Sequence, residues 1–406
     1  MTVLFIVPYA PTQVRTRPYH LIRTLARNGH HVTLATLWSN ETERRQVANA
    51  LSGVDMIGVA APVWRSAWSC ARAFLGRDPL QAHFSWQAHF SRALTALVNR
   101  RRFDVVHVEH LRGVRYGLAL ADSRSIGDRE RPSIVWDSVD CISDLFRYTA
   151  AEGPNRVVRS MASFELRRTE RYEPWAAARF RRVLVTSERD REGLLRLADG
   201  TQARPSLSDR IVVLPNGVDL DRFSPHAVRE ASTVVMSGKM SYHANVVGVM
   251  WFVDHVLPRI REKRPDVRFV VVGQDPARQI RRLAERPGVT VTGTVRDVVP
   301  YLQAASVAVA PIKYAVGIQN KVLEALACGT PVVATRAAVR GLSPQPGGEV
   351  MTADEPSAFA GAVVRLLNHP EERERLGQAA REYAEAHHAW SAIGARLEAI
   401  YAETAA

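Results

Sequence analysis

The feature that most constrains this chain is an alternation, met twice, of short β-branched runs with helical patterns. The first half opens with a strand from Val3 to Val7, a helix in "RPYHLIRTLARNG" stopped by Gly29, and a strand in "HHVTLATL". The runs "DVVHVEH", "SIVWDSVD", "RRVLVTS" and "IVVLPNG" follow, separated by helical patterns. Continuous apolar strands are buried on both faces, and helices between them supply the crossovers of a mostly parallel sheet. The second half repeats the plan with "TVVMSGKM", the helix "NVVGVMWFVDHVLPRIREKRP", and the strands "RFVVVGQDP", "VTVTGTV", "VAVAPI" and "PVVAT". A polar stretch, "SPHAVREAS" from Ser224 to Ser232, separates the halves. The expected organisation is an α/β chain of two doubly wound, Rossmann-like domains, residues 1–225 and 226–385, facing each other across a cleft. Beyond Gly347 the chain reads as helical, and its last segment, 386–406, is amphipathic enough to pack back on the first domain. Ligands of such sheets bind outside the carboxyl ends of the strands, so the functional residues are sought there.

A chain of 406 residues with 46% hydrophobic content can bury two cores of ordinary size. Cys70, Cys141 and Cys328 are too scattered for a disulfide framework or a zinc site, which suggests a reducing compartment. The start, "MTVLFIVPYAPTQVR", has no basic leader and its apolar run ends at Pro8. A cytoplasmic protein is expected, with peripheral contact at the inner membrane face left open. The formal net charge of +13 suits nucleic acid, an anionic membrane or acidic substrates. Arginine is spread through the chain without a basic tail or aromatic–basic repeats, so nucleic acid is not expected as a partner. The aromatic and basic segment from Trp64 to Arg102 fits either docking on an anionic membrane or helices packed within the first domain.

Lysine usage is more pointed. Only four of the 54 basic residues are lysines, and two of them, Lys239 in "SGKM" and Lys321 in "GIQNK", follow apolar strands at turns. A compact ammonium at such a place suits a phosphate contact. In "GIQNKVLEALACGTPVVAT" the apolar Val322, Leu323, Ala325, Leu326 and Ala327 mark a helix buried on most sides, with Lys321 and Glu324 as its exceptions. Asn320 is a plausible N-cap. The amides of Ile318, Gln319 and Asn320 and the ammonium of Lys321 would make a diphosphate site. Glu324, about 5 Å further along the axis, is spaced to take the hydroxyls of a ribose. Gly238 and Lys239 form a second phosphate-facing turn, and Gly293 to Val295 end another strand where backbone groups could meet a base.

In order and spacing, "LPNGVDLDRFSP", "GKMSYHAN", "VVVGQDP", "VTGTVRDVVPYLQAASVAVAP" and "GIQNKVLEALACGTPVVAT" resemble the retaining glycosyltransferases of family 4, within them a bacterial branch with "GxxNKxxEAxAxGxPVV". The resemblance implies the GT-B fold and a hexosyltransferase-type enzyme that moves a sugar from a nucleotide-diphosphate donor, UDP-sugar favoured, to a hydroxyl acceptor with retention. It implies no metal and no other cofactor, the nucleotide-sugar being a substrate. Lys239 and Lys321 match basic donor-site positions, with Gly317, Ile318, Gln319 and Asn320 as the loop between, and Glu324 matches the ribose-binding motif glutamate. The motif's first glutamate is replaced by Val316, which leaves the holding of the sugar to the Gly317–Gln319 backbone or to Asn320. A second basic residue usual after the "GK" turn is also absent, with His243 or Asn245 as substitutes.

In the first half, Asp137 is the nearest match to a histidine that many relatives place beneath the reacting sugar, with Asp140 second or a cap of the helix "CISDLF". His107 and His110 lie at another strand end, and His110 is the catalytic candidate of the two. Arg15, Arg17 and His20 would face acceptor or phosphate from the opening loop. "DLD" at Asp219 to Asp221 reads as part of a turn rather than a metal site. A nucleotide-sugar epimerase of the same fold is the alternative chemistry, and a non-enzymatic nucleic-acid binder the remote one. Envelope polysaccharide, glycolipid and secondary-metabolite acceptors all remain open.

Overall fold

The computed structural model describes residues 1–12, 15–61, 69, 73–74, 76–123, 127, 131–153, 155–199, 204–226, 228–342 and 348–405. Cys70, Gly347 and part of the Trp64–Arg102 segment therefore lie outside the described residues. The chain divides into two compact units, Met1–Pro215 with Trp390–Ala406, and Asn216–Ala389.

The first unit holds a seven-stranded sheet in the order β3-β2-β1-β4-β5-β6-β7. Its strands are β1 (Thr2–Val7), β2 (His31–Trp38), β3 (Asp55–Ala60), β4 (Val105–Glu109), β5 (Ser133–Val139), β6 (Arg182–Val185) and β7 (Ile211–Val213). Every pairing is parallel. The pleat sends alternate residues of β1 to opposite faces. Val3, Phe5 and Val7 meet the helix Thr16–Arg27 and the returning helix Trp390–Ala405 through Leu21, Trp390, Leu397 and Tyr401. Leu4 and Ile6 join Phe90, Leu94, Tyr116 and Trp136 on the other face. Within the basic segment, the helices Leu80–Phe84 and Ala88–Arg100 bury Ala82, Phe90, Leu94 and Val98 in this core. The strand β3, "DMIGVA", escapes sequence reading because it is a half-buried edge that mixes Asp and Gly with apolar residues.

The second unit holds a six-stranded parallel sheet in the order β10-β9-β8-β11-β12-β13. Its strands are β8 (Thr233–Ser237), β9 (Arg268–Val272), β10 (Val289–Gly293), β11 (Val307–Ala310), β12 (Val332–Ala334) and β13 (Val350–Thr352). β13 corrects the expectation of helix alone beyond Gly347: three residues are too few to show a period. The helical run from His243 to Lys263 passes through a π turn at Phe252–Val256, just before Pro258, which gives the ladder no N–H.

The boundary falls at Pro215, ahead of the polar stretch expected to join the halves, because "NGVDLDRFSP" is fastened to the second unit. Asn216 donates to Asn320, Arg222 pairs with Asp297 at 2.8 Å, and Arg381 donates to the carbonyls of Leu220 and Phe223. The Asp219 carboxylate accepts from the Arg222 amide and so closes the turn.

Candidate functional site

In the second unit the helix Asn320–Ala327 begins directly after the loop that leaves β11. Its N-cap is Gln319, without a side-chain cap bond, and Asn320 is already the first helical residue. The expected Asn320 cap is thus corrected: its side-chain oxygen accepts from Asn216 at 3.4 Å instead. The first amides of a helix have no intrahelical acceptor, so this end presents donors and a positive dipole. Gly341 backs the loop, since a Cβ there would stand 2.2 Å from the Gly317 carbonyl oxygen.

Gly238, at the end of β8, is brought against the same helix. Its φ of +145° is one that side-chain-bearing residues rarely adopt, and a Cβ would lie 2.9 Å from Asn245 Nδ2 and 3.2 Å from Lys321 Cε. The stem of Lys321 therefore crosses the turn. Asn245 is buried and donates to the Lys239 carbonyl at 2.8 Å, while its Oδ1 has no partner. Lys239 itself is exposed, as a side chain reaching for a ligand would be. Gly293, with φ +68°, ends β10 against open space, and Val295 is half-buried beyond it.

Lys321 and Glu324 carry the electrostatics. Burial pulls the Lys321 ammonium down to about 8 even though Glu324 pulls it upward. Burial pushes the Glu324 carboxyl up to about 7 against the attraction of Arg222 and Lys321. No salt bridge joins the two among the described residues. The ammonium donates to Gln319 Oε1 at 3.0 Å, and Gln319 Nε2 donates to the Val316 carbonyl at 3.3 Å. The Gln319 amide is thus held between the Lys321 ammonium and the Val316 backbone. His243 stacks on Tyr314 at 5.5 Å and its imidazole is pulled down by burial, which leaves it a neutral ring.

The first unit gives a different picture of its candidates. Asp137 is fully buried in β5, and Arg17 holds both of its oxygens, at 2.7 and 3.0 Å. Arg17 is buried too, and its Nη1 donates to the carbonyls of Leu214 and Pro215. Arg17 is therefore corrected from a solvent-facing acceptor contact to an interior clamp between the helix Thr16–Arg27, β5 and the end of the unit. His107 stands 3.4 Å from Asp137 and 3.6 Å from Glu109, and the Tyr401 hydroxyl lies 2.7 Å from its Nδ1. Burial opposes a charge on His107, but the two carboxylates outweigh it and its pKa is raised. The ligand atoms of His107, Glu109 and Asp137 lie within 4.8 Å of one another, the separation of a metal site. Arg17 occupies both oxygens of Asp137, however, so Arg17 and His107 already face these two acids, and burial and Asp137 push the Glu109 carboxyl up.

Nearer the strand ends, His110 and Val139 have φ of +60° and +69°, and they follow or end the paired strands β4 and β5. For a β-branched valine this is a strained conformation, of the kind held only where the surroundings fix it. His110 is kept neutral, its pKa pushed down by burial and by Arg112 to about 3, and its Nδ1 has no hydrogen-bond partner. Asp140 is pushed up to about 8 by burial and by Asp190, and accepts from the Thr186 hydroxyl at 3.3 Å. It does not cap the following helix: Glu173 does, accepting from the amides of Ile142 and Ser143 at 2.8 and 2.9 Å. No local sequence signal announces that cap, since Glu173 comes from a later helix. Arg15 is exposed, over the Tyr9 ring at 4.6 Å, whereas His20 stacks on Trp390 at 4.9 Å and is corrected to a packing residue.

Residues 14–222, half of the chain, match the family described as Glycosyltransferase Family 4, and residues 231–369 match Glycosyl transferases group 1. The chain belongs to glycosyltransferase family 4. Among the relatives of this family-4 chain is D-inositol 3-phosphate glycosyltransferase 2 of Catenulispora acidiphila, 29% identical over 55% of this chain and 56% of that one. Another is the phosphatidyl-myo-inositol mannosyltransferase of Mycobacterium tuberculosis, 30% identical over 48% of this chain and 55% of that one. The chain spans about half the length of the curated relatives it matches. Among solved structures, sucrose-phosphate synthase of Thermosynechococcus elongatus superposes with a TM-score of 0.69 at 18% identity, covering 99% of this chain and 98% of that one. Anabaena HepE in complex with UDP and glucose gives 0.67 at 13%, covering 99% and 100%. At these identities the likeness is one of fold, and two parallel-sheet α/β domains of the GT-B type are what it shows.

Proposed function

We propose that the protein is a retaining glycosyltransferase that moves a sugar from a nucleoside-diphosphate sugar, with UDP-sugars first among the donors, to a hydroxyl acceptor. The observation that carries this reading is the Lys321–Glu324 pair: two half-buried ionisable groups of opposite sign, with no salt bridge between them among the described residues, at the start of a helix. Isolated buried charges are costly unless something completes them. A diphosphate on Lys321 and the helix amides, with ribose hydroxyls on Glu324, would do so.

As the glycosidic bond breaks, negative charge grows on the departing diphosphate. The Lys321 ammonium, the amides at Gln319 and beyond, and Lys239 across the Gly238 turn would stabilise that charge without reorganising, and one such donor is typically worth about 3–4 kcal/mol of barrier. Gln319, held between Lys321 and Val316, would offer its amide to a sugar hydroxyl in place of the missing glutamate. In the front-side mechanism inferred from family membership, the leaving phosphate oxygen helps take the acceptor proton. Asp137 would then act through Arg17 as a positioning residue, and His110 and Asp140 are the first unit's candidates for meeting the acceptor. HepE carries UDP and one further relative is named as GDP-mannose-dependent, so both nucleotides enter the test. Relatives named for inositol phosphate and phosphatidyl-myo-inositol make polyol and glycolipid hydroxyls the first acceptors to assay.

The test is incubation with UDP-, GDP- and ADP-sugars, with and without such acceptors, followed by measurement of released nucleoside diphosphate and of product anomeric configuration by NMR. Release with a retained anomer is expected. Recovery of an epimerised donor with no nucleotide released would assign isomerase chemistry instead.

A further inference from the structure

The first unit carries a surface that the donor chemistry does not use. Among the described residues of this unit, five large apolar side chains are exposed: Phe74, Phe84, Val157, Met161 and Trp175. Three of them lie on one helix, Arg156–Ala177. From Arg156 to Arg179 every exposed residue is an arginine (156, 167, 171, 179), an apolar residue (157, 161, 175) or a serine (160, 163). The acidic residues of the helix are withdrawn: Glu165 and Glu173 are buried, and Glu170 is paired with Arg147 at 2.7 Å. The spacing of the exposed positions follows the helical repeat, so they form one continuous stripe.

The stripe is extended and stiffened by its neighbours. Phe74 stacks on Phe164 at 5.0 Å, and Arg168 lies 4.0 Å over Phe164 while donating to the Phe74 carbonyl at 2.6 Å. At the other end the Arg179 guanidinium covers Trp175 at 4.0 Å. Arg179 also lines a groove of about 630 Å³ with Arg181, Arg182 and Arg210, where Asp209 is the one acid in the lining and Glu403 stands 3.9 Å from Arg182. Carbonyls hold three of these guanidinium groups in place: Arg179 donates to Trp175, Arg182 to Asp209 and Arg210 to Ala178.

We propose that this face docks on an anionic lipid bilayer, with Val157, Met161 and Trp175 at the boundary of headgroups and acyl chains, Arg167, Arg171 and Arg179 on lipid phosphates, and the arginine groove seating one headgroup. Charge complementarity and the interleaved apolar side chains choose the occupant. A nucleic acid would satisfy the arginines but gain nothing from an exposed valine and methionine. The bilayer interface accommodates apolar tips and cations side by side, and each basic residue near the surface adds to binding. The sequence left residues 64–102 open to such docking or to packing within the first domain, and their described helices pack in its core; the stripe lies instead on Arg156–Ala177, a helix whose outer face alternates arginine with apolar residues. The inference stands on the surface of the first unit and not on the donor reading.

The test is sedimentation of the full chain with vesicles of phosphatidylcholine alone and of phosphatidylcholine with phosphatidylglycerol. Two double variants accompany it, Arg167→Glu with Arg171→Glu and Met161→Ser with Trp175→Ser, both checked for folding by circular dichroism. Selective, salt-sensitive binding to the anionic vesicles is expected, with each pair lowering the partition coefficient roughly tenfold or more. Equal binding to neutral vesicles, undiminished binding by both pairs, or tight RNA binding that anionic vesicles do not displace overturns the proposal. Calorimetry of UDP and GDP on the same variants reads the donor site separately and is expected to match the parent protein.

Discussion

Replacing Lys321 by methionine should make the unliganded protein more stable while removing its response to nucleotide. Burial pulls the Lys321 ammonium from its ordinary 10.5 down to about 8, even with Glu324 nearby. At ~1.4 kcal/mol per pH unit, holding that charge in place costs the fold roughly 3 kcal/mol at neutral pH. Part of this is offset in the variant, because Glu324 loses an attracting cation and its own carboxyl rises further. A net gain of about 1–3 kcal/mol remains, or roughly 2–4 °C of melting temperature for each kcal/mol in a unit of this size. The sign fixes the pH window. The folded state disfavours the charged form, so the cost is complete below about pH 8 and vanishes above 10.5. The advantage of the variant should therefore be full at neutral pH and fade through that interval. Differential scanning calorimetry with and without UDP or GDP measures both halves, since ligand stabilises only a state that binds it. A variant less stable than the parent at neutral pH, or one still stabilised by nucleotide, would refute the reasoning.

The partner carboxylate gives a second test. Glu324→Gln should weaken ribonucleotide binding about tenfold while leaving the corresponding 2′-deoxy nucleotide little affected, as calorimetry would show, since only a ribose offers both hydroxyls to a carboxylate. With Glu324 ionising at about 7 and Lys321 at about 8, nucleotide affinity of the parent protein should fall on the acid side of the first value and on the alkaline side of the second. A flat titration curve of affinity against pH would remove both residues from the site. Asp137→Asn leaves the Arg17 charge buried without its carboxylate, so the first unit should lose about 3–5 kcal/mol. Urea unfolding read from the first unit checks this, and a loss of transfer without any loss of stability would instead make Asp137 a direct substrate contact.

The architecture was legible because buried parallel strands are nearly continuous apolar runs, and β1, β4 and β8 stand out unaided as "TVLFIV", "VVHVE" and "TVVMS". β3 and β13 did not, being an edge strand of mixed polarity and a strand of three residues. Lys321 and Glu324 stood out for a related reason: a lysine and a glutamate in an otherwise apolar helix are anomalies that a sequence displays. Arg17 was misread because an arginine at a helix start looks the same whether it faces water or a buried aspartate 120 residues away. Glu173 and Gly341 carried no signal either, as each acts on a segment distant in the chain. Burial inverts a residue's meaning, and only the fold reveals it.

Calorimetric titration of the purified protein with UDP, GDP, ADP and dTDP, repeated on Lys321→Ala and Glu324→Ala, is the most direct test of the central claim. The account predicts clear binding of one nucleotide by the parent protein and a loss of it in both folded variants. Failure of all four nucleotides to bind, or unchanged affinity in both variants, would contradict it.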